Sequence, residues 1–318
     1  MTVLDSRALN RATLARQFLL DRTDTPVLGV VAHLCGMQAQ EPQEPFAMLR
    51  RRVLTTYRRE LAGLDPDEVA AAGREVMADG RPRTMAELVD ALTGRRPAPP
   101  RRALGELLVA ALIPMAQLPP RGLWRAKAGV RNLPLATWLG RDIAPLSPDG
   151  SDQAGRALVR RYLAAFGPAA SADLRAWCGL AGLPAAVEAA REELIAFRDE
   201  RGRQLLDLPG APRPDPGTPA PVRFLPAFDN AILGYHDRGR IVDDAHRGLS
   251  VAGARVVLVD GRVAATWNVT AGTGTVTVTP LRRLSRSDRA AVTEEGRSLA
   301  SFLSDGDSDR VQIEASSA

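Results

Sequence analysis

Cysteine, histidine and lysine are nearly missing from this chain. Its two cysteines, Cys35 and Cys178, stand far apart, which argues against a disulfide framework and makes a reducing cytoplasm the expected compartment. The three histidines, His33, His236 and His246, have no cysteine or carboxylate at metal-ligand spacing, so neither a metal site nor a cofactor is expected. No apolar run approaches the roughly 20 residues of a membrane span, and no hydrophobic leader follows Met1. A phosphate-cradling glycine loop, a Ser/His/Asp arrangement and an EF-hand are also absent. What is present is 318 residues, 45% hydrophobic and 25% charged, the composition of a soluble globular protein of two to four modules. The formal net charge of +5 and pI near 9.9 suit a polyanionic partner. Lys127 is the only lysine. GC-rich coding and phosphate recognition, for which the guanidinium fork is the better ligand, both account for the arginines.

Periodicity lays out the modules. Residues 6–21 place Leu9, Leu14, Phe18 and Leu19 at helical spacing with Ser6 as cap, and a second helix runs from Pro26 to Leu34, ended by Gly36. Residues 66–78 and 84–92 are helical, the latter with Thr84 and Glu87 as a capping box. An apolar segment covers 103–118, and the alternation over 121–140 predicts a short two-stranded wing. The stretches 94–102 and 143–151 read as loops. Three helices follow, "QAGRALVRRYLAAF", "SADLRAWCGL" capped by Ser171, and "LPAAVEAAREELIAF", and then "RDERGRQLLDL" as a hairpin, which is the winged-helix order. A proline-rich linker, 209–221, leads to a β-rich tail: a hairpin through Asp260-Gly261, a third strand in "TGTVTVTPL", a core Trp267 and a closing helix capped by Ser285. The expected fold is α+β. It comprises winged-helix modules at 1–65, 66–142 and 151–208 and a β-rich domain at 221–318, around a concave DNA-binding surface. Winged helices bind DNA or serve as protein-docking scaffolds, so pattern alone leaves both open.

The stretch "CGMQAQEPQEP" carries the chemistry. Glu41 precedes Pro42 and is pushed from helical geometry, and in an extended segment side chains two apart point the same way. Gln38 and Gln40 then converge. Paired amides either satisfy loop backbone groups or act on a ligand without titrating.

Several blocks in order resemble a known family: "LNRATLARQFLL", "HLCGMQAQEPQEPF", "RYLAAFGPAASADLRAWCGL", "RFLPAFDNAILGYHDRGRIV" and "VVLVDGRVAATW". Spread over about 7–303, they are similar to the winged-helix DNA glycosylases of the AlkZ and YcaQ type, the AlkZ branch more closely. The resemblance implies that Gln38 and Gln40 form the catalytic Gln-x-Gln element of a monofunctional glycosylase. Its substrate would be double-stranded DNA carrying N7-alkylated, cationic purines, including bulky adducts and interstrand crosslinks. The setting would be base excision repair or self-resistance to a DNA-alkylating antibiotic, and a monomer that needs no membrane is expected. The resemblance also places Asp229 and Asn230 near the cleft, with Arg238 toward a phosphate; alternatively Asp229 caps a turn and orients Arg238. Arg50, Arg51 and Arg52, the densest basic run, face DNA or form a solvated helix end. The family's Arg-Gly-Thr-x-His block, expected after Arg52, is missing here, as are a few hairpin residues near Arg247. A non-enzymatic winged-helix regulator is the competing reading, although such a protein would dimerise on half-sites and needs no inward amide pair.

Overall fold

A computed structural model describes residues 1–315 apart from 35–52, 94–99, 122, 124–125, 127, 144–152, 179–182 and 271. The Gly36 stop and most of the loops expected at 94–102 and 143–151 lie outside the described residues. The chain divides into two compact units. One comprises Met1–Gln40, Ser147–Trp177 and Ala181–Ala318, the other Glu41–Leu146 and Cys178–Leu180.

The first unit begins with β1 (Val3–Leu4), α1 (Ser6–Arg16) and α2 (Val27–His33). The cap of α1 is Asp5, not Ser6: its carboxylate accepts from the Ala8 N–H at 2.6 Å, and an anion suits the positive helix end better than a hydroxyl. The helix also stops at Arg16, short of the predicted 21. Phe18 turns left-handed at φ 55°, Leu19 N–H closes on Leu14 O at 2.8 Å, and the Phe18 ring lies 5.0 Å from His33. A ring contact with α2 offsets a conformation that costs a non-glycine residue about 1–2 kcal/mol.

The second unit carries α3 (Pro66–Val76), α4 (Met85–Thr93), α5 (Arg101–Glu106), a π-helical turn Leu107–Leu112, strands β2 (Met115–Gln117) and β3 (Asn132–Pro134), and α6 (Leu135–Leu139). The capping box of α4 is formed: Glu87 accepts from the Thr84 N–H at 2.7 Å while Thr84 Oγ1 accepts from the Glu87 N–H at 3.2 Å. Leu104, Leu107, Leu108 and Leu112 fill a core with Val53, Leu61 and Val89. The wing differs from its prediction. Its first strand lies before Pro119-Pro120, where backbone donors end, and "LATWL" is helical because Pro134 starts a helix well. Met115 pairs with Pro134 and Gln117 with Asn132.

Back in the first unit, α7 (Gln153–Phe166), α8 (Ser171–Cys178) and α9 (Leu183–Ala189) precede the antiparallel pair β4 (Ile195–Asp199) and β5 (Gln204–Asp207), and β1 adds parallel to β4. Ser171 is the first helical residue rather than the cap, and Asp173 accepts from the Ala170 N–H at 2.9 Å. α9 is shorter than predicted because Ile195 onward is drawn into the strand facing Asp207. Then come β6 (Arg223–Leu225), the short α10 (Asn230–Leu233), α11 (Arg247–Val251), β7 (Val256–Val259), β8 (Arg262–Thr270), β9 (Thr275–Pro280), α12 (Arg286–Ser304) and β10 (Val311–Ile313). The sheet order is β10-β9-β8-β7-β6. Asp260 and Gly261, both at positive φ, make the tight turn, and Ser285 with Asp288 forms the capping box of α12. Trp267 is buried and donates to Leu225 O at 2.9 Å.

Candidate active site

Gln38, Gln40, Arg50, Arg51 and Arg52 lie outside the described residues. The described neighbourhood shows how the chain leading to the glutamines is held. His33, at the end of α2, has Nε2 2.9 Å from Arg16 O, and Arg161 donates to Ala32 O at 3.1 Å. α2 is therefore tied to α1 and α7.

α1 is tied down in turn by buried polar groups. Arg16 makes a two-toothed pair with Asp207, at 2.7 and 2.9 Å, and donates to Leu163 O at 2.8 Å; both side chains are almost wholly enclosed. Asn10 donates to Arg240 O at 2.9 Å and Gly261 O at 2.7 Å. Arg11 is paired with the Asp260 carboxylate. A Cβ on Gly261 would collide with Asn10 and Leu14, so the hairpin turn needs glycine for space as well as for its φ of 77°.

Of the site residues expected downstream, Asp229, Asn230 and Arg238 fall on one short stretch. Asp229 is the cap of α10, accepting from the Ala231 N–H at 2.8 Å. The stretch from Gly234 to Arg240 is fastened from three sides. The Tyr162 hydroxyl donates to Gly234 O at 2.7 Å, and Tyr235 OH donates to Phe166 O at 2.8 Å. Asp173 accepts from the N–H groups of His236 and Asp237 at 3.0 and 3.1 Å. Arg240 lies over the Tyr235 ring at 4.1 Å and donates to Pro168 O at 3.0 Å. Tyr162, Phe166, Trp177 and Tyr235 gather the scarce aromatics behind this segment, with centroid separations of 4.9–6.0 Å. Such pairs contribute about 0.5–1.5 kcal/mol each beyond their burial.

Charge is distributed unevenly along the segment. Burial works against ionisation of Asp237, but the Gly239 N–H and the guanidinium groups of Arg203 and Arg201 hold its carboxyl below the usual range. Burial, with Arg247 beside it, lowers the pKa of Arg238. Burial pushes the Asp229 carboxyl above its ordinary 3.8, opposed by the Ala231 N–H. A carboxyl shifted upward stabilises the fold fully below its unfolded pKa and loses that contribution as pH climbs through the folded value, leaving an ionised group at a disadvantage near neutrality. Asparagine keeps the capping acceptor without the charge. Asp229→Asn is therefore expected to raise Tm at pH 7, with the advantage shrinking toward pH 4, whereas Asp229→Ala loses the cap at a cost of about 1 kcal/mol. Melting curves from pH 4 to 8 check this; an asparagine variant that melts below wild type at pH 7 contradicts it.

Sequence reading missed Asn10, Arg11, Arg16, Asp173, Asp207 and Arg240, the buried groups that hold α1 and the 234–240 segment. A signal existed for α1, whose polar residues at 10, 11, 13, 16 and 17 are too many for a helix with one wet face. Among the described residues no cluster of His, Cys, Asp or Glu is placed to hold a metal, and no helix is long and apolar enough to cross a membrane.

The mixed α+β fold and the arginine-rich composition suit a nucleic-acid partner without defining one. The AlkZ-like DNA glycosylase family matches residues 46–302, and the chain belongs to that family: it is a DNA glycosylase, and its substrate is DNA. The match contains Asp229, Asn230, Arg238 and Arg50–Arg52 and begins after Gln40. Streptomyces sahachiroi DNA glycosylase AlkZ has a similar fold, with a TM-score of 0.72 at 21% identity over 98% of this chain and 100% of that one. No curated protein sequence matches the chain. Family membership sets aside the reading as a non-enzymatic regulator.

Proposed function

We propose that the enzyme hydrolyses the N-glycosidic bond of N7-alkylated purines in double-stranded DNA, bulky adducts and interstrand crosslinks included, with Gln38 and Gln40 aligning the attacking water. The observation that carries this reading is a Gln-x-Gln pair in a member of a glycosylase family. An alkylated purine already bears positive charge and leaves readily. What remains is to place a water under C1′ and favour the cationic sugar, which amide oxygens and N–H groups do by position and dipole. Asp229 and Asn230 face the DNA in this reading, and Arg238 meets a phosphate. The planar guanidinium fork of Arg238, half-buried beyond the helix that Asp229 caps, suits a phosphate oxygen pair, which supports that role. The enzyme acts as a cytoplasmic monomer in base excision repair or in self-resistance to an alkylating antibiotic.

Lesion charge tests the reading. 7-Methylguanine should be excised efficiently and uracil poorly, by about 10²–10⁴-fold, the usual contribution of an acid or base that the amides cannot supply. Counting abasic sites after mild alkali on matched duplexes measures the ratio, and comparable excision of uracil rules the mechanism out.

A further inference from the structure

The chain's positive charge is concentrated. Residues 79–142 contain ten arginines and Lys127 against Asp79, Glu87, Asp90, Glu106 and Asp142, an excess of six in a chain of net +5, so the remainder is net negative. This stretch belongs to the second unit. Within it, Arg131 donates to Pro82 O at 3.1 Å, Arg83 and Asn132 form a bridge, and a Cβ on Gly80 would sit 3.9 Å from Thr137. The 79–83 loop, β3 and α6 therefore form one continuous patch of surface. Arg81, Arg131 and Arg141 are exposed on or beside it; Arg81 and Arg131 make loose, solvent-exposed pairs with Asp79 at 3.8 Å and Glu87 at 3.6 Å, which an arriving phosphate can replace. Next to Thr137 stands Trp138, 57% exposed, followed by the exposed Leu139 and Ile143. A tryptophan left this bare among arginines contributes little to a core, and its surroundings match a polyanion with apolar edges.

We propose that the β2–β3 sheet and α6 form a second duplex-DNA contact, in which the arginines meet phosphates and Trp138 makes an apolar contact in the adjacent groove. The proposal rests on duplex DNA being the substrate but not on which lesion is cut or on the glutamines. Arginine contacts along the backbone set affinity and its salt dependence, while an aromatic wedge at a base step adds affinity that salt does not screen. The two contributions are thus separable.

The test uses the full chain and an undamaged 25-base-pair duplex, read by fluorescence anisotropy over a salt series. Trp138→Ala should weaken binding about tenfold with the salt slope unchanged. Arg141→Ala should reduce the slope by about one. Trp138→Phe should recover most of the affinity, and the wild type should show more tryptophan quenching on binding than Trp138→Phe does. Because Trp138 is exposed, Tm should stay near wild type, which separates a lost contact from a lost fold. Unchanged affinity in Trp138→Ala overturns the proposal. So does concentration-dependent self-association that Trp138→Ala abolishes, since that would make the patch an interface between copies. Either result leaves the excision of 7-methylguanine, and hence the catalytic reading, to stand on its own assay.

Discussion

Replacing Gln38 and Gln40 together by alanine is expected to lower single-turnover excision of 7-methylguanine by about 10³-fold, the scale of losing groups that position water and stabilise charge in the transition state. Duplex affinity should be preserved, because neither residue is asked to bind phosphate. The singles should not add to the double, since the two amides hold one water. The pH profile distinguishes this from acid–base catalysis. Amides do not titrate, so the chemical step should be flat across neutrality, whereas a bell-shaped profile would implicate a carboxylic acid such as Glu41. Gln40→Glu supplies the complementary experiment: it should introduce a pH dependence near the ordinary glutamate value of about 4.3. Full activity in the double alanine variant ends the proposal.

Asp207→Ala should produce the largest loss of stability of any single change discussed, about 3–5 kcal/mol, because it strands the enclosed Arg16 guanidinium without its counter-charge. Arg213 also pairs with Asp207 and loses its partner in the same step. Removing both charges in Arg16→Met/Asp207→Leu should be milder than the Arg16→Met and Asp207→Leu singles predict, since the enclosed guanidinium is gone and Arg213, which also loses Asp207, is partly exposed to water. Chemical denaturation of the four proteins closes the cycle. A single Asp207→Ala variant within about 1 kcal/mol of wild type would mean that water reaches the pair, against the burial seen for both side chains. Because Arg16 O also receives His33, the same variant should lower glycosylase activity below the melting temperature, through the chain leading to Gln38.

Elements with local chemistry are legible in the sequence. The α7 limits, the Thr84–Glu87 and Ser285 caps, and the Asp260-Gly261 hairpin follow from spacing and turn residues that sit next to one another in the chain. Sequence and structure part where distant partners intervene. Phe18 ends α1 early through its contact with His33, and Ile195 leaves the helical pattern to pair with Asp207. The wing's first strand, Met115–Gln117, precedes the alternating stretch because alternation carries no information about which earlier strand pairs with Asn132.

The order of the quoted sequence blocks was enough to recognise a DNA glycosylase, a resemblance that the family match over residues 46–302 bears out, because such blocks depend on which residues are present and in what sequence. They could not reveal that Asp173 holds the 236–237 backbone, or that Arg16 closes on Asp207 across 191 positions. The reason is energetic. A charge costs least in water, so nothing local marks an arginine for burial, and its partner is known only once the packed chain has removed the solvent between them.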